Sequence, residues 1–293
     1  MSSAVELATY PGLDERVVVL RAGDLVDAVF VRTERFNVLV DTLDTPARCH
    51  AALALVDPFL YERPLVVVNS HMDWDHFWGN AAVADRAVII AHEEAHRRFH
   101  APSTQQKLKT KASEDVSFQD VALQAPTVTF QDRLRLDGGD LTLDLVSTPG
   151  HTPDHVAVWI PELKTCLAVD AVEAPIPVVS SEDPQDLRSL VASLHLIEEL
   201  DAEHVVLAHG QTNDPLVVSQ NLRYFEELAS RVGRASDLAF LRDGDPIPDG
   251  LELTDLVPSS TNLSPSARTF YERFHRKNLR ATIRSVQGAS STM

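Results

Sequence analysis

The 293-residue chain carries 43 acidic and 26 basic side chains, a formal net charge of −17, and 44% of its residues are hydrophobic. This length and apolar fraction are typical of a globular protein that buries a sizeable core, so the composition excludes general disorder. The acidic balance, with no run of five basic residues, argues against binding to nucleic acid or to an anionic membrane surface. The N-terminus lacks a signal-peptide pattern and no apolar run is long enough to span a membrane, so we expect a cytoplasmic protein.

Apolar runs and alternating patterns predict the strands, and helical spacing with capping residues predicts the helices. The predicted strands are 16–21, 27–41 with a polar break at 32–35, 65–68, 86–91, 156–160, 165–169 and 205–208, together with a hairpin over 134–145. The predicted helices are 45–55, 92–100, 187–200, 215–232 and 264–286. Residues 102–120 are polar without a clear period, so no element is predicted there. The alternation predicts an α/β protein with two sheet layers covered by helices.

The chain is predicted to form one main domain over residues 1–241, with residues 242–293 packed on it. Residues 242–266 are rich in Pro, Gly, Ser and Asp, which indicates a long surface connection. The last helix has an aromatic side, Phe270, Tyr271 and Phe274, and could reach over a functional site or mediate a homodimer. Its basic residues are a candidate place to hold an anionic substrate group.

Histidine and aspartate follow several predicted strands directly, at positions where loops converge and functional residues concentrate. These positions are His71-x-Asp73-x-Asp75-His76 after 65–68, His151 within Thr148-Pro149-Gly150-His151-Thr152-Pro153-Asp154-His155, Asp170 after 165–169, and His209 after 205–208. Imidazole and carboxylate groups hold a hydrolytic divalent metal while leaving a position for water. The sequence therefore predicts a metal site built from strand ends.

This pattern resembles the metallo-β-lactamase superfamily, whose motif His-x-His-x-Asp-His is followed by one histidine, one bridging aspartate and a final histidine. The resemblance covers about residues 16–212. Asp41 also fits the family, whereas Leu43 replaces its usual glycine. The resemblance implies an αβ/βα four-layer sandwich with a helical C-terminal extension and a dinuclear metal site at one edge. It implies that His71, Asp73 and His151 bind the first metal, that Asp75, His76 and His209 bind the second, and that Asp170 bridges them. Asp75 would also orient the nucleophilic water.

Asp73 stands where the family has its second histidine. A carboxylate there adds negative charge and a hard oxygen ligand, which shifts the preference from zinc toward iron or manganese. The same change resembles the flavodiiron branch of the superfamily, which reduces oxygen or nitric oxide. About eighty residues follow His209 and are predicted to form helices and a loop, so we expect no flavodoxin-like domain of that branch. We expect two divalent ions. Zinc is the preferred metal, and Asp73 makes iron or manganese the alternatives.

These observations predict a hydrolase that uses a metal-bridging hydroxide on an ester, thioester or lactone of a small molecule. A non-haem diiron oxidoreductase and a non-catalytic ligand-binding member of the fold are the alternatives. The lactone-cleaving members use a tyrosine between the bridging aspartate and the last histidine, and residues 171–208 contain none. The basic segments of the glutathione thioesterases have no clear counterpart either. His92-Glu93-Glu94-Ala95-His96 matches the zincin pattern, although a solvated helix edge is the favoured interpretation.

Overall fold

The computed structural model describes residues 4–60, 63–235, 238, 241–242 and 244–290. Residues 289 and 290 are described by their backbone alone. The strands form two mixed sheets. The first contains, in spatial order, β1 (Glu6–Ala8), β2 (Val17–Arg21), β3 (Asp27–Arg32), β4 (Asn37–Val40), β5 (Leu65–Val68), β6 (Ala87–His92) and β7 (Val128–Phe130). The second contains β8 (Arg133–Asp137), β9 (Thr142–Ser147), β10 (Val156–Ile160), β11 (Thr165–Val169) and β12 (His204–Leu207), in the order β12-β11-β10-β9-β8.

Strand direction changes within each sheet. The first sheet is antiparallel from β1 to β4 and parallel from β4 to β7. In the second sheet only β11 and β12, among the described strands, are parallel. The helices are α1 (Pro46–Leu55), α2 (Asp57–Leu60), α3 (Trp74–Phe77), α4 (Glu93–His100), α5 (Pro102–Glu114), α6 (Pro184–Glu199), α7 (Leu216–Arg234), α8 (Leu253–Leu256) and α9 (Pro265–Ser290).

The two sheets pack face to face and share one apolar core. Phe30 and Leu39 of the first sheet lie in the same buried cluster as Leu143, Leu145 and Val158 of the second. A second cluster joins the opposite face of the second sheet to α6, α7 and α9, while α1 packs on the core of the first sheet. The chain is therefore an α/β protein with two mixed sheets between helices, which confirms the predicted four-layer sandwich with C-terminal helices.

Most predicted elements are confirmed, with end points that differ by a few residues. The α5 helix was not predicted because none of its residues is buried, so its sequence carries no apolar stripe. The connection over 242–266 is also more structured than expected, because Leu251 and Leu253 are buried in the second core. The predicted domain boundary at 241–242 adjoins residues 236–237, 239–240 and 243, which lie outside the described residues, so it stays a prediction.

A glycine fixes how the first histidine-rich motif joins the sheet. Gly79 lies in the short 3-10 helix Trp78–Ala82 directly after α3, and a Cβ atom there would stand 1.9 Å from the backbone oxygen of Thr42. The Gly79 N–H also donates to the backbone oxygen of Leu43. Only glycine permits this close approach of the two loops.

We expect Gly79→Ala to lower the free energy of unfolding by about 1–3 kcal/mol, because backbone must move to admit the methyl group. Gly233→Ala is the matched control, since Gly233 lies in α7 with no atom within 4 Å of an added Cβ. Alanine should be neutral or stabilising there by up to about 1 kcal/mol. Thermal and denaturant unfolding check both values, and equal stability of the two variants would contradict the close approach.

Candidate metal centre

The carboxylate of Asp170 lies among four imidazole rings. Its Oδ2 atom is 3.6 Å from Nε2 of His71, 3.3 Å from that of His76, 3.5 Å from that of His151 and 3.4 Å from that of His209. The potential ligand atoms form two groups, each within 4.8 Å: His71, His151 and Asp170, and Asp75, His76 and His209. The structure thus brings together six of the seven residues predicted as metal ligands.

Asp170 owes its position to an irregular strand end. The register between β11 and β12 shifts between Leu167 and Val169, and Val169 adopts a φ of 49°. The Asp170 N–H then donates to Nε2 of His155, whose Nδ1 contacts the Thr148 hydroxyl at 2.8 Å. Burial lowers the pKa of His155 to about 3, so this ring is neutral. His155 therefore supports Asp170 and is not a ligand.

Asp41 orients one of the histidines. Its carboxylate accepts hydrogen bonds from the backbone N–H and the hydroxyl of Ser70, and its Oδ2 lies 2.8 Å from Nδ1 of His76. This contact fixes the proton on Nδ1 and leaves Nε2 of His76 free to face Asp170. Asp41 and Leu43 both have a φ of 65°, so the loop after β4 keeps a left-handed turn although leucine replaces the usual glycine.

Several buried atoms of the site have no hydrogen-bond partner among the described residues. They are Nε2 of His71, His76 and His151, Nδ1 of His151, and Oδ1 of Asp170. Leaving such atoms unpaired costs about 1–3 kcal/mol each, and three of these Nε2 atoms converge on the same carboxylate. Imidazole and carboxylate donors that converge in this way fit a pair of divalent ions. The residues present therefore fit the metal centre that the sequence predicted.

The electrostatics of the site favour positive charge at its centre. Burial lowers the pKa of His71 and of His151, which keeps these rings neutral and able to ligate. Burial acts in the same direction on His76 and His209, but the nearby carboxylates outweigh it, chiefly Asp170. They raise the pKa of His76 well above its usual value and that of His209 to about 10. A site that draws protons onto imidazoles in this way also attracts metal cations.

Asp73 lies at the edge of this arrangement. Its Oδ1 accepts a hydrogen bond from Nη2 of Arg98 at 2.6 Å, and its Oδ2 lies 3.9 Å from Nε2 of His151. Burial raises the pKa of Asp73, but the charges of Arg98, His151 and Lys107 and the Arg98 hydrogen bond together outweigh burial and lower it to about 2. Arg98 also binds Asp154, which accepts the Met72 N–H. Asp73 belongs to neither group of ligand residues, so its metal role stays a prediction.

A cavity of about 790 Å³ opens in front of these residues. The metal side of its wall contains Asp73, Trp74, Asp75, His151, Asp170 and His209, and the opposite wall contains Leu263, Phe270, Tyr271 and Phe274. The aromatic side of α9 therefore reaches over the site, which was one of the two predicted roles for this helix. The volume suits a small-molecule ligand.

Three of the basic residues of α9 that were expected to hold an anionic group are engaged elsewhere, so that expectation stays a prediction for Arg273, whose guanidinium lies 5.7 Å from the ring centroid of Phe270. Arg276 donates to the backbone oxygen of Asp245, Lys277 donates to that of Ser180, and Arg280 binds Glu182. Among the described residues that line the cavity, none is lysine or arginine. Tyr271 and Phe274 also belong to the second core, which fixes the side of the helix that faces the cavity.

The zincin-like match does not form a site. His92 ends β6 and caps α4 by accepting the Glu94 N–H on Nδ1, so His92 and His96 do not share a helix face. Glu173 and Tyr271, which line the cavity, were not predicted as site residues. The only sequence signal for Glu173 is a lone carboxylate in an apolar segment, and Tyr271 was indicated only as part of the aromatic side of the last helix, with nothing that tied it to Glu173.

Comparisons with known proteins agree with this geometry. The sequence profile described as "Metallo-beta-lactamase superfamily" matches residues 21–209. A beta-lactamase-like protein 2 homolog of Caenorhabditis elegans is 33% identical over 76 residues, 26% of this chain and 24% of the relative. A hydroxyacylglutathione hydrolase of Hahella chejuensis is 33% identical over 74 residues, 25% of this chain and 28% of the relative. The chain thus spans about a quarter of the length of these curated relatives.

Solved structures show the same fold. A metallo-beta-lactamase family protein from Thermus thermophilus superposes with a TM-score of 0.62 at 19% identity, covering 98% of this chain and 93% of that one. The stereoselective inverting sec-alkylsulfatase Pisa1 from a Pseudomonas species gives 0.61 at 15% identity, covering 93% of this chain and 49% of that one. The profile match extends over more than half of the chain. The protein belongs to the metallo-β-lactamase superfamily, and one edge of its fold carries two groups of metal-ligand residues. No helix within the described part of the chain is long and apolar enough to cross a membrane.

We expect Asp41→Asn to weaken metal binding by about 10- to 100-fold, because residues that orient a ligating histidine tune its affinity by that amount. Competition with a chromophoric chelator measures the affinity. The matched control is Asp137→Asn, since Asp137 is exposed in the β8–β9 turn. Unchanged affinity in Asp41→Asn, with folding intact, would show that Asp41 does not orient His76.

Proposed function

We propose that the protein is a dinuclear zinc hydrolase that acts on an ester, thioester or lactone of a small molecule. The observation that carries this proposal is the position of Asp170, whose Oδ2 atom lies within 3.3–3.6 Å of four imidazole nitrogens. A carboxylate among unpaired imidazole nitrogens suits a bridging ligand between two ions. The proposal also includes two expectations that rest on the sequence, no binding to nucleic acid and no binding to a membrane, and it leaves open a homodimer as the alternative role of α9.

Two bound divalent ions would supply a hydroxide nucleophile at neutral pH and would polarise the scissile carbonyl oxygen. We assign the transfer of the proton from water to the leaving group to Asp75. Its side chain lines the cavity, with Oδ2 3.6 Å from Nε2 of His209 and Oδ1 3.9 Å from Nε2 of His76. Burial raises the pKa of Asp75, which suits a carboxylate that accepts a proton from water and releases it to a leaving group.

Zinc is the proposed metal because four of the six clustered ligand residues are histidines. Asp73 would add Oδ2 to the first metal while Arg98 holds Oδ1 and offsets its negative charge. The relatives named hydroxyacylglutathione hydrolase and sec-alkylsulfatase both cleave ester-like bonds by their names, which supports hydrolysis here.

We expect protein purified without added metal to contain two zinc ions per chain and to hydrolyse at least one of a generic aryl ester, a thioester and a lactone. His71→Ala and Asp170→Ala should lose metal and turnover together, and Asp75→Asn should lower kcat by roughly 10²- to 10⁴-fold. Elemental analysis and steady-state kinetics measure these effects. His195→Ala is the control, because His195 is exposed on α6 and contacts Glu198 instead of the site.

Other outcomes of that experiment point elsewhere. Two irons with oxygen-dependent chemistry would favour the oxidoreductase, and absence of any metal would favour a ligand-binding protein. Full metal content in His71→Ala and Asp170→Ala would contradict the assigned ligands.

We expect Asp73→His to raise the affinity for zinc relative to manganese and iron, because imidazole replaces a hard oxygen ligand. Metal competition followed by elemental analysis measures the ratio, and Asp73→Asn serves as the variant that removes charge without adding an imidazole. A ratio that does not change would mean that Asp73 does not determine the metal preference.

A further inference from the structure

Glu173 is a buried carboxyl group in the cavity wall without a basic partner among the described residues. Its backbone is fixed by Asn221, which accepts the Glu173 N–H and donates to the Glu173 carbonyl oxygen. The Tyr271 hydroxyl donates to Oε2 at 3.4 Å, and Oε1 has no hydrogen-bond partner in the described part of the chain. The residue is 1% exposed. One oxygen of this carboxyl is therefore left to be satisfied by something outside the described chain.

The other carboxyl groups of the cavity are accounted for. Asp27 pairs with Arg21, Asp73 pairs with Arg98, and Asp24 is exposed to solvent. Asp75 and Asp170 belong to the metal-ligand groups. The nearby Arg98 and Lys107 line a separate cleft of about 220 Å³ beyond Asp73 and Trp74. Within the described wall, Glu173 is thus the one buried carboxyl that has neither a basic partner nor a metal role.

The wall around Glu173 suits a positive charge. A buried carboxylate is costly unless a cation or several hydrogen-bond donors face it. Tyr271 contacts Glu173, Phe270 and Phe274 line the same cavity, and aromatic faces attract ammonium groups. Burial and the Asp170 charge raise the pKa of Glu173 well above its usual value although His209 acts in the opposite direction, so the pocket favours the ionised carboxylate only when a further cation faces it.

We propose that Glu173 and the aromatic side of α9 form a subsite for a substrate ammonium group attached to an apolar chain. The cavity would then select amino esters over uncharged or anionic ones. The ammonium group would donate to Oε1 of Glu173 while its carbon chain packs on Phe270 and Phe274. The statement about turnover rests on the proposed hydrolase function, whereas the binding of the ammonium group does not.

Binding tests the subsite directly. We expect zinc-loaded protein to bind 2-phenylethylammonium about 10- to 100-fold more tightly than 2-phenylethanol, as a charge-assisted hydrogen bond implies. Glu173→Gln should abolish this difference, and Tyr271→Phe should reduce it. Calorimetric titration measures the affinities. Glu226→Gln is the matched control, because Glu226 is exposed on α7 and its loss removes the same charge.

The Glu226→Gln control distinguishes binding at a specific subsite from the general attraction of a cation to an acidic protein. Metal content and melting temperature are measured for each variant, because Glu173 lies close in sequence to Asp170. If Glu173→Gln does not fold, Tyr271→Phe alone decides, since it removes a contact to Glu173 without changing charge. Equal binding of the two ligands, or a preference that survives in Glu173→Gln and Tyr271→Phe, overturns the proposal.

Turnover separates this proposal from the hydrolase proposal. We expect phenylalanine ethyl ester to be cleaved with a kcat/KM about 10- to 100-fold above that of ethyl 3-phenylpropanoate, which lacks only the ammonium group. Equal cleavage of both esters supports the hydrolase and overturns the subsite. Glu173-dependent ammonium binding, with no cleavage of these two esters, of a generic aryl ester, of a thioester or of a lactone, supports the subsite and contradicts the hydrolase.

Discussion

The structure of the site depends on one carboxylate held among four imidazoles. Asp170 would be unstable in this place without compensation, because a buried charge needs several donors or a cation. The chain provides the position by a register shift at the end of β11, and His155 secures the backbone N–H. The imidazole nitrogens that face Asp170 come from segments after β5, β9 and β12. Both sheets must therefore pack in register before the site exists.

That dependence explains which site residues could be predicted from the sequence. His71, His151 and His209 each directly follow or lie close to a strand end, so local pattern placed them in loops and the family resemblance placed them together. Asp41 was also recognisable, although its role through Ser70 and His76 required coordinates. The fold was predictable for the same reason, since buried strands carry continuous apolar runs and the core helices carry apolar stripes.

Other features lacked such local signals. The α5 helix buries no residue, so nothing in its pattern separates it from a loop. Glu173 and Tyr271 are 98 residues apart and meet only because α9 packs on α6 and α7 over the second sheet. The direction in which three of the basic residues of α9 point was misjudged for a related reason. Composition shows that a helix is basic, but only packing shows which side faces a cavity.

The two walls of the cavity come from different parts of the chain. One wall holds the candidate metal centre, which bears on the reaction, and the other bears on which substrate is bound. The family match ends at residue 209, and the two metal-ligand groups lie entirely within the matched range. Phe270, Tyr271 and Phe274 lie beyond it, so membership of the superfamily constrains the reacting centre but says nothing about the opposite wall. By its name, the hydroxyacylglutathione hydrolase acts on a substrate that carries a glutathione group. The described wall offers an anionic group no lysine or arginine, and Glu173 gives it no positive partner. Substrate preference must therefore be argued from α9 and Glu173, where this chain's own packing decides the chemistry.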